Sequence, residues 1–191
     1  GDVYKRQKIP ISKERQIMQL EQQINEIEAA ISEMKYEKGE NWSVKQMAIF
    51  RENLETKLEK LAAEEKKDDL LTFEQLGVDM MFVDEAHFYK NCFVFTKLRN
   101  VAGITTSSSQ RAFDMLLKCQ YLQEVNNGRG VVFATGTMIS NSISELFVMQ
   151  RYLQPQELER FGWAYFDTWI AHFAKRTSVL ELRPEGGGYR M

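Results

Sequence analysis

Apolar residues recur at helical spacing through the first third of the chain. The first stripe alternates steps of three and four residues, the a/d spacing of a heptad repeat. It consists of Ile17, Leu20, Ile24, Ile27, Ile31 and Met34. The pattern breaks at Lys38–Asn41 and restarts behind Ser43, a predicted N-cap with Gln46 three residues later. The second stripe consists of Met47, Phe50, Leu54, Leu58 and Leu61. Two such segments around a glycine-containing turn predict an antiparallel helical hairpin, a solvated coiled-coil arm.

A different pattern begins after residue 70. The apolar runs Met80–Val83 and Val131–Ala134 have the length of strands. Their lack of two-residue alternation is typical of strands covered on both faces. Between them, the Ser/Thr cluster at 105–109 precedes a predicted amphipathic helix. The buried stripe predicted for that helix is Ala112, Met115, Leu116, Cys119 and Leu122. Another helix is predicted from Ser142 to Leu153. Strand, helix, strand, helix in this order predicts an α/β fold with a parallel sheet.

Composition narrows the class of protein. The chain has 191 residues and is 43% hydrophobic, enough to bury a core, which excludes wholesale disorder. With 25 Lys and Arg against 27 Asp and Glu, no global basic field exists, so any nucleic-acid contact must be local. The two cysteines show no partner pattern for a disulfide framework or a zinc site, and neither of the two histidines lies in a His-Glu-x-x-His motif. No apolar run approaches the roughly 20 residues that span a bilayer, so we expect no membrane partner. The unpaired cysteines favour a reducing, cytoplasmic location.

Two polar boxes follow the two strand-like runs directly. Asp84-Glu85-Ala86-His87 comes after the first run, and Ala134-Thr135-Gly136-Thr137 ends the second. Because the ligand crevice of an open α/β sheet lies beyond the carboxyl ends of its strands, these residues are predicted to meet there. The small residues around Gly136 are expected to let the backbone come close to the neighbouring strand end, where a threonine hydroxyl reaches His87. A solvated acidic turn and an ordinary strand-to-helix turn are the alternatives.

These boxes carry a resemblance to a known family. Asp84–Asn91, with the sequence DEAHFYKN, resembles motif II of superfamily-two helicases in its Swi/Snf-like form. Ala134–Asn141, with the sequence ATGTMISN, is similar to motif III of the same proteins. Thr96–Gly103 and Gly128–Phe133 are similar to the helicase region of large phage and conjugative-element proteins. In that group the helicase module is often joined to an adenine-specific DNA methyltransferase.

The resemblance implies a site for Mg-ATP. It implies that Asp84 helps to bind Mg²⁺, that Glu85 orients the hydrolytic water, and that His87 senses the nucleotide. It further implies that His87 couples to the two threonines of the second box, linking hydrolysis to movement on DNA. The residues expected to contact the nucleotide or its metal are Asp84, Glu85, Thr135, Gly136 and Thr137.

A DNA partner follows from the same resemblance. The candidate nucleic-acid contacts are Lys90, Asn91, Lys97, Arg99 and Arg111. For each of the four cations, a solvated surface side chain is the alternative. The other expected partner is the remainder of a longer parent chain, which would carry motif I and a second RecA-like lobe.

The apolar pattern and the resemblance together divide the chain into expected segments. They are a non-native or linker segment (1–11), a helical hairpin insertion (12–70), the C-terminal half of a RecA-like lobe (71–160) and an aromatic helical extension (161–191). The expected fold class is therefore α/β, a partial RecA-like parallel-sheet lobe with an inserted antiparallel hairpin.

Two departures from the family pattern change the expected activity. Met138 stands where motif III usually has proline, which loosens the turn but removes no chemical group. No Gly-x-x-x-x-Gly-Lys-Ser/Thr loop occurs, so the chain lacks the backbone nest and lysine that hold phosphates. We therefore expect the chain alone to hydrolyse ATP poorly or not at all. The alternative is a non-catalytic scaffold whose helical hairpin binds a protein partner.

Overall fold

Helices make up most of the described structure. The computed structural model describes residues 9–36, 41–64, 71–96, 109–140, 142–175, 181–182 and 189–190. Its helices are α1 (Lys13–Tyr36), α2 (Asn41–Ala63), α3 (Gln110–Val125), α4 (Ser144–Leu153), α5 (Pro155–Arg160) and α6 (Phe166–Phe173). Its strands are β1 (Met81–Val83), β2 (Val131–Phe133), β3 (Glu181–Leu182) and β4 (Tyr189–Arg190). Two short 3₁₀ helices cover Glu74–Leu76 and Ala86–Tyr89. None of the described helices is both long and apolar enough to cross a membrane.

Helices α1 and α2 form the predicted antiparallel pair. Lys13 Nζ at the start of α1 donates to the carbonyl oxygen of Ala62 at the end of α2, at 2.9 Å. Farther along, Arg51 Nη1 lies 3.2 Å from Glu28 Oε1, which fixes the opposite directions of the two helices. The prediction of the second helix start was wrong, because α2 begins at Asn41 and Ser43 lies inside it. The predicted turn at 38–40 lies outside the described residues.

The hairpin packs onto the rest of the chain, which corrects the prediction of a solvated arm. Phe50 of α2 stacks on Phe93 with ring centroids 4.2 Å apart. The Lys57 ammonium lies 4.3 Å from the centre of the Phe113 ring on α3. Burial lowers the pKa of Lys57. One continuous apolar cluster joins the hairpin seam to α3, because the seam needs a third partner to exclude water.

Glu74 anchors the entry to the hairpin. The backbone N–H of Ser12 lies 3.1 Å from both carboxylate oxygens of Glu74, and Arg15 Nε lies 3.7 Å away. Burial alone would raise the pKa of Glu74, but the hydrogen bonds from Ser12 and Thr72 outweigh it and hold the pKa below its ordinary value. The folded state is therefore stabilised by the ionised form of this carboxyl group.

Glu74→Gln is expected to lower the free energy of unfolding by about 1 kcal/mol near neutral pH, because the charge-assisted bonds are lost. Because the pKa of Glu74 is lower in the folded protein than in the unfolded chain, its ionised form stabilises the folded state at pH above the unfolded-state pKa. This stabilisation disappears as the pH falls through the folded-state pKa. The difference between wild type and variant should therefore shrink in acid. Urea unfolding across the acid range measures it, with exposed Glu59→Gln as control. A difference that does not change with pH would contradict the assignment.

Strands β1 and β2 pair in parallel, as the sequence predicts. Met81 lies opposite Val131 and Val83 opposite Phe133, with α3 in the connection between the strands. The expectation that both faces are covered was wrong for the described part of the chain. Phe82 is 73% exposed, and its neighbour Val132 is 42% exposed. The buried face packs against the helices, whereas this second face is open.

The core beside the sheet is built by α3, α4 and α6. All five predicted apolar positions of α3 are buried, and Ser109 caps this helix by accepting from the Ala112 N–H at 3.1 Å. Within the predicted aromatic helical extension (161–191), α6 begins only at Phe166, because Gly162 turns the chain with φ +71° before it. Its Phe166 and Trp169 are fully buried against α4.

Candidate functional site

The two polar boxes meet at the carboxyl ends of β1 and β2. Beyond the strand pairs, the N–H of Ala134 donates to the Val83 carbonyl oxygen at 2.9 Å. The N–H of Ala86 then donates to the Ala134 carbonyl oxygen at 3.0 Å. These backbone bonds hold the turn after β1 against the turn after β2, as the strand pattern predicts. Neither box lies within a continuous α-helix.

A left-handed turn at Glu85 separates β1 from the following 3₁₀ helix. Glu85 has φ +53°, a conformation that costs a non-glycine residue about 1 kcal/mol or more. The Glu85 N–H donates to Asp84 Oδ1 at 2.9 Å, which supports the turn. Both carboxylates remain open to solvent. The turn thus presents two acidic groups at the strand end and keeps Glu85 beside the 3₁₀ helix.

His87 connects the first box to the second. Its Nδ1 lies 3.1 Å from Glu85 Oε2 and 3.1 Å from Thr135 Oγ1. The Thr135 hydroxyl oxygen also accepts from the Thr137 N–H at 3.2 Å. A proton on Nδ1 therefore has two acceptors, one in each box. The predicted contact between His87 and the second box is confirmed, while the catalytic roles of these residues stay predictions.

Gly136 has a different environment from the one expected. A Cβ built on Gly136 would meet no atom within 4 Å, and the residue is exposed. The expectation that Gly136 lets the backbone come close to the neighbouring strand end was therefore wrong for the described structure. The exposed Thr137 and Met138 follow it, so the middle of the second box is an open loop.

Lys90 is tied into the site framework, and its side chain is 17% exposed. Its Nζ donates to Ser140 Oγ and lies 3.0 Å from Glu145 Oε1. The Ser140 N–H donates to Glu145 Oε2 at 2.6 Å. Glu145 was not among the predicted site residues. It lies in the helix that the sequence predicts from Ser142 to Leu153, and its carboxylate reaches back to Ser140.

The remaining nucleic-acid candidates are only partly described. Arg111 is exposed, donates to the Phe88 carbonyl oxygen at 2.9 Å, and stacks over the Phe88 ring at 5.5 Å. Asn91 is exposed, and its carbonyl oxygen accepts from the Ser109 N–H at 3.0 Å. Lys97 and Arg99 lie outside the described residues.

The carboxylates of Asp84 and Glu85 suit a hard cation whose remaining ligands are phosphate oxygens and waters. Asp84 offers its second carboxylate oxygen, and Glu85 lies next to it in the turn. Across the described ranges, no group of three or more His, Cys, Asp or Glu side chains forms a metal cage. Mg²⁺ needs no such cage, because it is commonly held by one or two carboxylates together with phosphate oxygens and waters. The residues present therefore fit Mg²⁺ bound to a nucleotide.

The sequence of the chain matches a helicase-type family. Residues 4–184 match the family described as "Probable helicase domain", and the chain belongs to that family. It is also 32% identical over 114 residues to "Defense against restriction protein B" of Escherichia phage P1. That match covers 58% of this chain but only 5% of the phage protein. No solved structure shows a significant match.

Proposed function

We propose that the chain supplies the hydrolysis and coupling residues of an ATP-dependent DNA helicase or translocase. The observation that carries the proposal is the line of contacts from Glu85 through His87 to Thr135. This line crosses the carboxyl ends of two parallel strands, where ligands of open α/β sheets bind. Membership of the helicase family supports this class of reaction.

Each residue of the turn has a role in this proposal. Asp84 holds Mg²⁺ through its free oxygen or an intervening water. Bound Mg²⁺ supplies charge neutralisation and polarisation at the phosphates. Glu85 accepts a hydrogen bond from the attacking water and orients it for in-line displacement. His87 shares its Nδ1 proton between Glu85 and Thr135, so a new partner for Glu85 alters the bond to the second box.

Other parts of the motor are proposed to come from elsewhere in the full-length protein. Hydrolysis needs a phosphate-binding loop, and the 191-residue sequence contains no such motif. A second lobe and further DNA contacts are proposed on the same ground, with Arg111 as the one of the described candidate cations for DNA contact whose side chain is exposed. We further propose a mobile-element protein linked to DNA methylation, which the phage origin of the relative supports.

His87→Ala in the full-length protein is expected to lower DNA-stimulated ATP hydrolysis about tenfold or more and to leave ATP binding within about twofold. The imidazole is the contact between the boxes, so its removal separates hydrolysis from the DNA response. ATPase assays with and without duplex DNA, together with titration of a fluorescent ATP analogue, measure both quantities. His172→Ala is the matched control, because that side chain is exposed on α6 and packs near Trp163 instead.

Two outcomes would contradict the proposal. Equal effects of the two histidine substitutions would remove the coupling role of His87. No ATP hydrolysis by the full-length protein, with or without DNA, would remove the motor. That second result would favour the non-catalytic alternative, in which the α1–α2 hairpin binds a protein partner.

A further inference from the structure

The segment 135–140 is held at both ends by one turn of 3₁₀ helix. Residues three apart in a 3₁₀ helix lie on the same side, since the helix has three residues per turn. His87 lies within the turn over Ala86–Tyr89, and Lys90, three residues later, caps it, with its N–H donating to the His87 carbonyl oxygen. His87 contacts Thr135 at one end of the segment, and Lys90 contacts Ser140 at the other.

The middle of this segment has little stiffness of its own. Gly136 is free of neighbours within 4 Å of a built Cβ, and Met138 occupies a position without the fixed φ of proline. Residues 136–139 are all exposed. The positions of the two threonine groups therefore depend on how the ends of the segment are fixed.

The second attachment is a desolvated ion pair. The side chains of Lys90 and Glu145 are 17% and 8% exposed, and their charged atoms lie 3.0 Å apart. The same carboxylate binds the backbone N–H of Ser140 at 2.6 Å. Exposed ion pairs fix geometry weakly, whereas a buried pair with additional hydrogen bonds holds one arrangement. This ammonium is therefore already engaged by Ser140 and Glu145 within the protein.

We propose that Lys90 and Glu145 are positioning residues that keep Thr135 and Thr137 in register with His87. They act by fixing Ser140, the far end of the loop, and do not touch the nucleotide. The kinetic consequence rests on the proposed function of the site, whereas the effect on the loop does not. Lys90 is thereby reassigned from a candidate DNA contact to the framework of the hydrolysis site.

Lys90→Gln in the full-length protein is expected to speed hydrogen exchange of the Ser140 amide about tenfold or more, because its acceptor Glu145 loses its ammonium partner. We also expect kcat for ATP to fall about tenfold with KM within about twofold, since positioning and not ATP binding is lost. Lys90→Arg should recover most of both values. Ser140→Ala is the second variant, for use if Lys90→Gln fails to fold. It removes only the hydroxyl that accepts from Lys90, so we expect a smaller change in the same direction.

Lys118→Gln is the matched control. Lys118 pairs with Asp114 on α3 at 2.6 Å, and the two side chains are 13% and 24% exposed. Its loss should reduce stability without a selective change at Ser140 or in the ratio of kcat to KM. Equal effects of the two lysine substitutions would therefore overturn the positioning role.

The outcomes separate this inference from the proposed function. Unchanged hydrogen exchange of the amide at position 140 in both Lys90→Gln and Ser140→Ala would show that Lys90 and Glu145 do not fix the end of the loop. Faster exchange with unchanged kcat, in a protein that Glu85→Gln inactivates, would overturn the positioning role and leave the proposed function standing. If Glu85→Gln retains full turnover, the proposed function fails, and the exchange measurement alone decides whether Lys90 and Glu145 hold the loop.

Discussion

Glu85→Gln in the full-length protein is expected to abolish ATP turnover while ATP binding persists. Loss of a positioned general base typically lowers a rate by about 10²–10⁴-fold. The amide keeps the size of the carboxylate and can still approach His87 Nδ1, which lies 3.1 Å from Glu85 Oε2. It cannot take up a proton from water, so the defect should fall on kcat. Single-turnover hydrolysis and nucleotide titration measure the two quantities separately.

Two further variants define what the Glu85 result means. Glu157→Gln removes an exposed carboxylate paired with Arg160 on α5, and should leave turnover unchanged. Asp84→Asn should instead weaken the response to Mg²⁺, because the carboxylate oxygen is a better ligand for that ion than an amide. Full activity of Glu85→Gln would refute the assignment of Glu85, whatever the two other variants do.

The sequence predicts those parts of the site that depend on where the two strands end. A strand end is marked by the change from apolar to polar residues, and parallel pairing brings two such ends together. Met80–Val83 and Val131–Ala134 carry that signal, so the meeting of His87 with Thr135 was predictable. The burial of α3 was predictable for a similar reason, because the period of its apolar residues defines one face.

The features that escaped prediction depend on contacts between distant residues. A lysine at position 90 has the same local pattern whether its partner is solvent, DNA or Glu145, and only the fold decides among them. The hairpin seam likewise predicts a helical pair, but not the ring of Phe93 that stacks on Phe50. Tyr152 lies in the helix that the sequence predicts from Ser142 to Leu153, and its hydroxyl donates to the carbonyl oxygens of Tyr89 and Ala112, each at 3.0 Å. Burial raises the pKa of this tyrosine, so it stays neutral as a buried donor.

The tail helix α6 packs two fully buried aromatic side chains, Phe166 and Trp169, into the core. Trp169 is 1% exposed, packs against Phe147 with ring centroids 5.5 Å apart, and donates its indole N–H to Gln150 Oε1 at 2.8 Å. Its neighbours belong to the cluster that also contains Val83 at the end of β1. If this packing operates as one unit, α6 stabilises the strand that carries the acidic turn. The expected boundary between residues 160 and 161 would then separate segments of one cooperative core.

Trp169→Ala is therefore expected to lower the free energy of unfolding by about 3–5 kcal/mol, the usual loss for a large aromatic in a packed core. Trp169→Phe keeps most of the ring but leaves Gln150 without its donor, so about 1–2 kcal/mol is expected. Phe173→Ala, on the same helix but 50% exposed, should cost about 1 kcal/mol or less. Denaturant unfolding followed by fluorescence and by far-UV circular dichroism measures all three. A Trp169→Ala variant that loses only the tail signal, with α3 and α4 unchanged, would make residues 161–191 an independent extension and refute the shared core.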